Sequence, residues 1–540
     1  MTSRTAAALL AALALGLLFL GLGSTALTDR DEGANAEAAR EMWERRAWLT
    51  PTLNYAPRFA KPALVYWLMG GAYATLGVGE LAARLPSAVA TALLIALQYA
   101  FARWALGREA GQRAALVLVL AAEVVVLGRL ALTDAVLVLW TTVAGFAFFR
   151  AFEGPPPRRR WYAALWAATA LATLTKGPVG VLVPAAGIAL YVTLAGGWRR
   201  LGRESGIAWG VPLFLAIAGP WYAAMFWEHG ATYLARAEGE TLGRVFRTVT
   251  GPGGTVLFYV PVLLVGLFPW SALLPAALAS ALRRPRARAA EGRAGAVVVF
   301  AAAWIVAVLV TFSLFQSRLP HYVAPLFPMA ALLLAATWPE RVPPITRGLL
   351  AGLGLVVAAA LAAGFGLGDT VGRLLAPAYP ADAGAGLPWS VLLLAGLALG
   401  MAAAAGLADG RRLFGALSVL AAVFLAVGLH VVWPAFDARF VAPAGELVRR
   451  IRSAVRPCDE LVVLGPYRPS LVLYAGRRVT FVGRREHERL GELAARPGRL
   501  VVVTPAALAG ASPVLATLPM LDRRGGYVAL ASAPVPGGCS

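Results

Sequence analysis

Apolar runs dominate the chain and are broken by short loops. A helix needs about 20 apolar residues to cross a bilayer. Read that way, the pattern predicts thirteen spans, at 6–27, 82–102, 114–128, 135–149, 162–174, 178–197, 207–226, 256–280, 295–312, 322–337, 348–366, 389–407 and 413–433. One long polar loop, 28–81, follows the first span. Two stretches in it, 35–48 and 62–78, read as short helices lying on the outer surface, with Trp43, Trp48, Tyr66 and Trp67 suited to the headgroup zone. After residue 433 the pattern changes. Short β-branched and aliphatic runs at 461–464, 471–474, 479–482 and 500–503 read as strands, interleaved with helices near 442–455 and 486–495. The fold class expected is a polytopic all-α membrane protein carrying a small C-terminal α/β domain. The division is 1–433 and 434–540.

Composition agrees with this reading. The chain is 59% hydrophobic and 14% charged, with a mean hydropathy of +0.69. Its net charge of +21 does not call for nucleic acid. Most of the arginine sits in alternate short loops: at Arg103, Arg108 and Arg113, at Arg150 and Arg158 to Arg160, and at Arg199, Arg200 and Arg203. The same holds at 283–293, at Arg341 and Arg347, and at Arg411 and Arg412. Basic loops stay cytoplasmic. With an odd number of spans, the N-terminus is then inside and the tail outside. Segment 6–27 is longer than a signal-peptide core and lacks a clear cleavage site, so it reads as a retained helix. The high ratio of arginine to lysine and the abundant alanine suggest a GC-rich bacterium, and the chain is expected in its inner membrane. The two cysteines, Cys458 and Cys539, fall in the exported tail, where a disulfide is permitted.

The candidate chemistry gathers on the outer face. Residues 28–37 hold four acids, and acids at a membrane edge are costly unless solvated or used. Of 49 basic residues only Lys61 and Lys176 are lysines, which marks two places for a compact ammonium. The outer loops bring together Asp31, Glu32, Arg58, Lys61, Asp134, Lys176, Arg244, Arg318, His321 and Tyr322. A carboxylate can take a proton from an attacking hydroxyl, and cations can hold a phosphate as charge builds on it. The same residues have plainer readings. Asp31 and Glu32 suit the first turn of a helix, Asp134 suits another, and Lys61 and Lys176 suit interfacial anchors. No spacing resembles a soluble-type metal site, and no glycine loop suits nucleotide phosphates. A lipid-linked sugar flippase and a non-catalytic scaffold remain alternatives; the first would place charge at mid-span and show repeats, and neither is seen.

The loop Asp31-Glu32, Ala36-Glu37, Arg40-Glu41-Met42 and Trp48-Leu49-Thr50-Pro51 resembles the first outer loop of GT-C glycosyltransferases that use lipid phosphate sugars. It is most similar to the aminoarabinose-transferase-like branch, relatives of the protein O-mannosyltransferases. The likeness continues through Phe59-Ala60-Lys61-Pro62, Ala83-Arg84-Leu85-Pro86-Ser87, Leu130 to Asp134 and Thr175-Lys176-Gly177-Pro178. It runs on through Gly219 to Tyr222, Phe268-Pro269-Trp270 and Ser317 to Tyr322, covering about residues 1–330. The resemblance implies an inverting transfer from a polyprenyl phosphate sugar to an extracytoplasmic lipid, glycan or protein. It implies Asp31 as the catalytic carboxylate and Asp134 as a second acid near the site. Lys61 would approach the donor phosphate, with Arg318, Lys176 and Arg244 as further phosphate contacts. Glu32, Arg58, Tyr55, His321 and Tyr322 are the implied substrate contacts. The chain departs from the pattern at Ala60, where relatives carry an acid linked to a divalent metal, and at Arg58, where they carry tyrosine. Ala60 removes an expected ligand, and no metal is assigned.

Overall fold

The computed structural model describes residues 3–241, 243, 255–380, 386–486, 488–496, 498–510 and 512–533. Each expected span coincides with a helix or a bent pair of helices. The first nine helices are α1 (Ser3–Phe19), α2 (Asp31–Arg45), α3 (Leu64–Leu76), α4 (Glu80–Leu106), α5 (Arg108–Val119), α6 (Ala122–Gly128), α7 (Asp134–Glu153), α8 (Arg159–Lys176) and α9 (Val179–Ala195). Among the described residues, six helices are long and apolar enough to cross a membrane, or up to eight if each bent pair is one span. The bends are 65° between α5 and α6, and 117° between Tyr259–Gly266 and Trp270–Leu282. The protein is therefore a polytopic, mainly helical membrane protein.

The first loop departs from expectation. The helix expected at 35–48 starts at Asp31, ends at Arg45, and does not lie on the outer surface. Every residue from Glu32 to Met42 is buried. A sequence this polar can be buried because its polar groups are paired. Glu32 meets Arg84, Glu37 meets Arg40 through two 2.7 Å contacts, and Glu41 accepts from Thr52 and from the Tyr55 backbone. Buried polar groups without such partners would cost several kcal/mol each. The two-residue strands β1 (Thr52–Leu53) and β2 (Ala56–Pro57) form a small hairpin behind it.

The C-terminal segment forms a five-stranded mixed sheet. Its strands are β3 (Glu460–Leu464), β4 (Thr480–Val482), β5 (Leu500–Pro505), β6 (Met520–Arg524) and β7 (Tyr527–Ala531), in the order β4-β3-β5-β7-β6. Successive side chains point to opposite faces. Val463, Val501, Val503 and Ala529 join the large core shared with the helices, while Val462, Val502, Val528 and Leu530 face a second core with Leu490, Leu493 and Leu515. Burial on both faces explains the unbroken apolar run at Leu500–Val503.

Two expectations fail here. The run 471–474 is not a strand: it lies in the helix Ser470–Ala475, closed by Gly476 at φ +64°. A short apolar run has no decisive period, and Pro469 ahead of it suits a helix start. Strands β6 and β7 were missed. β6 is an edge strand carrying Asp522, Arg523 and Arg524, and charge at an edge masks the strand signal. The boundary expected at 434 has no backbone break, since the helical stretch Gly410–Ala454 runs through it. Cys458 is disulfide-bonded, and its expected partner Cys539 lies outside the described residues.

The C-terminal segment docks onto the first loop. Arg468 donates to Asp29 at 2.9 Å, and Ser470 donates to the same carboxylate from its backbone (3.0 Å) and hydroxyl (2.7 Å). Asn54 pairs with the Val479 backbone in both directions, at 2.7 and 3.0 Å. At Gly33 the chains approach so closely that a Cβ would sit 2.6 Å from the Ser470 nitrogen. Only glycine fits there.

Candidate functional site

Helices α7 and α8 run antiparallel, so the first residue of one meets the last residue of the other. The Lys176 ammonium donates to Asp134 at 2.5 Å, with both side chains nearly buried. Each residue also suits its helix end, an acid at the N-terminus of α7 and a cation at the C-terminus of α8. Lys176 lies 5.1 Å from the centre of the Tyr322 ring. His321 stacks edge-on against the same ring, 5.3 Å away.

These residues line a cavity of about 230 Å3 together with Asp31, Lys61, Arg30, Asn35, Leu132, Thr133 and Leu319. Asp31 is exposed to it at the start of α2. Six residues singled out in the sequence are thus brought together: Asp31, Lys61, Asp134, Lys176, His321 and Tyr322. They come from four separate parts of the chain. An exposed carboxylate faces two ammonium groups across a small polar space. That arrangement can hold an anion and orient a nucleophile beside it.

The others lie elsewhere. Glu32 points away from the cavity, into a buried pair with Arg84 at 2.7 Å. Burial opposes its charge, but the Arg84 guanidinium prevails and holds the carboxyl below its ordinary range. Arg58 donates to Asn35 (3.0 Å) and to the Tyr66 hydroxyl (2.5 Å), and so braces a residue that lines the cavity. Tyr55 sits beyond α2, where its hydroxyl accepts from Arg40 at 3.2 Å. Arg318 is buried behind the cavity wall and donates to the Ser313 carbonyl at 2.9 Å. Arg244 lies outside the described residues. Arg129, at the same face, caps the end of α1 by donating to the carbonyls of Leu17, Leu18, Leu20 and Gly21.

Arg30 and Asn35 line the cavity and were not singled out. Asn35 lies four residues after Asp31 on one helix, a spacing that places the two on one face. Arg30 was legible only as a neighbour of Asp31. Among the described residues, no three of His, Cys, Asp and Glu gather as metal ligands. With alanine at position 60, the described residues do not fit a divalent metal.

The architecture is that of known enzymes. The ArnT of Cupriavidus metallidurans, solved bound to undecaprenyl phosphate, superposes with a TM-score of 0.79 over 98% of both chains at 23% identity. The oligosaccharyltransferase of Archaeoglobus fulgidus matches at 0.54, covering 94% of this chain and 70% of that one at 12% identity. The shared fold, taken with the relatives in sequence, defines a polytopic membrane glycosyltransferase of the GT-C class. Sequence comparison is narrower. Residues 60–223 match the family described as dolichyl-phosphate-mannose-protein mannosyltransferase. The undecaprenyl phosphate-alpha-4-amino-4-deoxy-L-arabinose arabinosyl transferase of Pseudomonas aeruginosa is 30% identical over 411 residues, 74% of this chain and 70% of the relative. The chain belongs to the family of these aminoarabinose transferases.

Proposed function

We propose that the chain moves a sugar from a polyprenyl phosphate carrier to an acceptor on the extracytoplasmic side, and that the cavity beside Asp31 is where this happens. The observation that carries the reading is the convergence of Asp31, Lys61, Asp134 and Lys176 on one small space at one end of the helices. In the step, the acceptor oxygen attacks the anomeric carbon from the face opposite the phosphate. The bond from that carbon to the phosphate oxygen breaks, and the oxygen leaves with the electron pair. Lys61 and Lys176 neutralise the charge that gathers there. Asp31 takes the proton of a hydroxyl acceptor, or orients a phosphate acceptor that needs no base. Asp134 holds Lys176 in place while the carrier is absent, and the carrier phosphate then shares that ammonium. Arg318 and Arg244 are held to be further contacts to the donor phosphate.

The carrier chemistry is supported by the relatives, whose names specify an undecaprenyl phosphate-linked sugar. The departures at Arg58 and Ala60 argue against carrying over the aminoarabinose and lipid A specificity unchanged. The acceptor is lipid A, an envelope glycan or a protein hydroxyl. Thirteen spans, a cytoplasmic N-terminus and an exported C-terminal domain complete the reading, supported by the arginine in alternate loops. The test is direct. Purified protein in lipid is given radiolabelled polyprenyl phosphate sugars together with envelope extracts. Release of free polyprenyl phosphate with label in an acceptor supports the reading; intact donors under every pairing would refute it.

A further inference from the structure

Four helices end together on the face away from the cavity. α4 ends near Trp104, α7 near Arg150, α8 begins by Arg160 and Trp161, and the helix Arg293–Ser313 begins at Arg293. Arg150 lies sixteen residues along α7 from Asp134, about 24 Å at 1.5 Å per residue. This is a different place from the transfer site.

There the side chains form one file in which cations and rings alternate. The Arg293 guanidinium lies 4.4 Å from the centre of the Trp104 ring, and Arg150 lies 4.3 Å from the same ring. Arg150 is also 4.2 Å from Trp161, and Arg160 is 5.2 Å from it. Three positive charges are thus stacked on two indoles. Among the described residues, none of the three forms an ion pair. The acids nearest in sequence, Glu153 and Glu291, make no ion pair with them among the described residues: Glu153 accepts from the Tyr191 hydroxyl at 2.8 Å, and Glu204, farther along the chain, is taken by Arg158 and Arg200. Arg293 spends one amino group on the Trp104 carbonyl at 3.1 Å, and the Arg150 Nε is buried without a partner.

Like charges this close repel unless a counter-ion joins them. The rings occupy the guanidinium faces and leave their edges to bind. A guanidinium edge matches a phosphate with two parallel hydrogen bonds. Tryptophan belongs at the headgroup level, and basic clusters there attract anionic lipid. We propose that this file is a binding site for the phosphate of an anionic phospholipid in the leaflet opposite the transfer cavity. The lipid would supply the missing negative charge and tie four helix ends together.

The probe is phosphatidylglycerol, with zwitterionic phosphatidylcholine as the control and inorganic phosphate as the free-anion control. Lipid retained by the full chain is counted by native mass spectrometry from mixed micelles. The wild type is expected to retain phosphatidylglycerol about tenfold over phosphatidylcholine. R160Q/R293Q removes the two exposed rungs, leaves the core intact, and is expected to abolish that preference. R411Q, in a basic pair at the start of the helix Gly410–Val427, is expected to keep it. Equal retention of both lipids by the wild type would overturn the proposal, as would an unchanged preference in R160Q/R293Q. Inorganic phosphate competing at equal concentration would also overturn it, by marking a free-anion site.

Discussion

Glu32 and Asp134 make an instructive pair. Each is an acid in the first turn of a helix, and each meets a cation from another helix. Their surroundings differ. Glu32 receives five donors: two from Arg84, two from Thr28 and one from the Ala131 backbone. Arg84 in turn donates to the carbonyls of Leu22, Thr25 and Ala26. Every group is occupied by the protein, so the pair fastens the first loop to α4 and can do nothing else. Asp134 and Lys176 share one short contact at the edge of a cavity. In the proposed function that pair exchanges its partner for the carrier phosphate. Closure against a cavity, rather than charge or burial, separates a fastening from a binding site.

The comparison breaks first at Arg84. Arg84→Met leaves a buried carboxylate unpaired, which costs about 3–5 kcal/mol in comparable cases. Little folded protein is expected by fluorescence-detected size exclusion, and the double change with Glu32→Leu is expected to recover much of it. At the other pair, Lys176→Gln is expected to leave the fold intact and to lower kcat/KM for the lipid donor about 10–100-fold. A loss of folded protein as severe as that of Arg84→Met would make the second pair a fastening too.

A smaller effect is expected at the docked C-terminal segment. Ser470→Ala removes one hydrogen bond to Asp29, and should cost about 1 kcal/mol, read as a lower thermal midpoint in detergent. The smallest is a pH effect. Because Arg84 depresses the Glu32 carboxyl, the folded state holds the charged form more tightly than the unfolded chain does. That contribution is present above the ordinary carboxyl value of about 4.5 and is lost as pH falls through the lower folded value. Stability of the wild type should decline on acidification in that window, and in Glu32→Gln the decline should be shallower.

Much of this was written in the hydrophobic pattern. The apolar helices were legible because length and apolarity alone define them, and the cavity residues because acids and lysines are scarce in this chain. What the pattern concealed was burial by pairing. α2 is polar enough to look like a surface helix, and only the positions of Arg84, Arg58 and Thr52 show why it is inside. Glu32 was expected to contact substrate beside Asp31 because adjacent residues share a sequence context, yet it turns away from the cavity into its pair with Arg84. The run 471–474 looked like a strand because four apolar residues carry no period, although it lies in the helix Ser470–Ala475.

The central claim is that Asp31 acts on the acceptor while the lysines hold the donor. The measurement is Asp31→Asn in purified protein, with transfer and donor binding read on the same sample. The account predicts transfer lowered about 10²–10⁴-fold, the range for a lost general base, with donor affinity kept within about threefold. Transfer at the wild-type rate would contradict it.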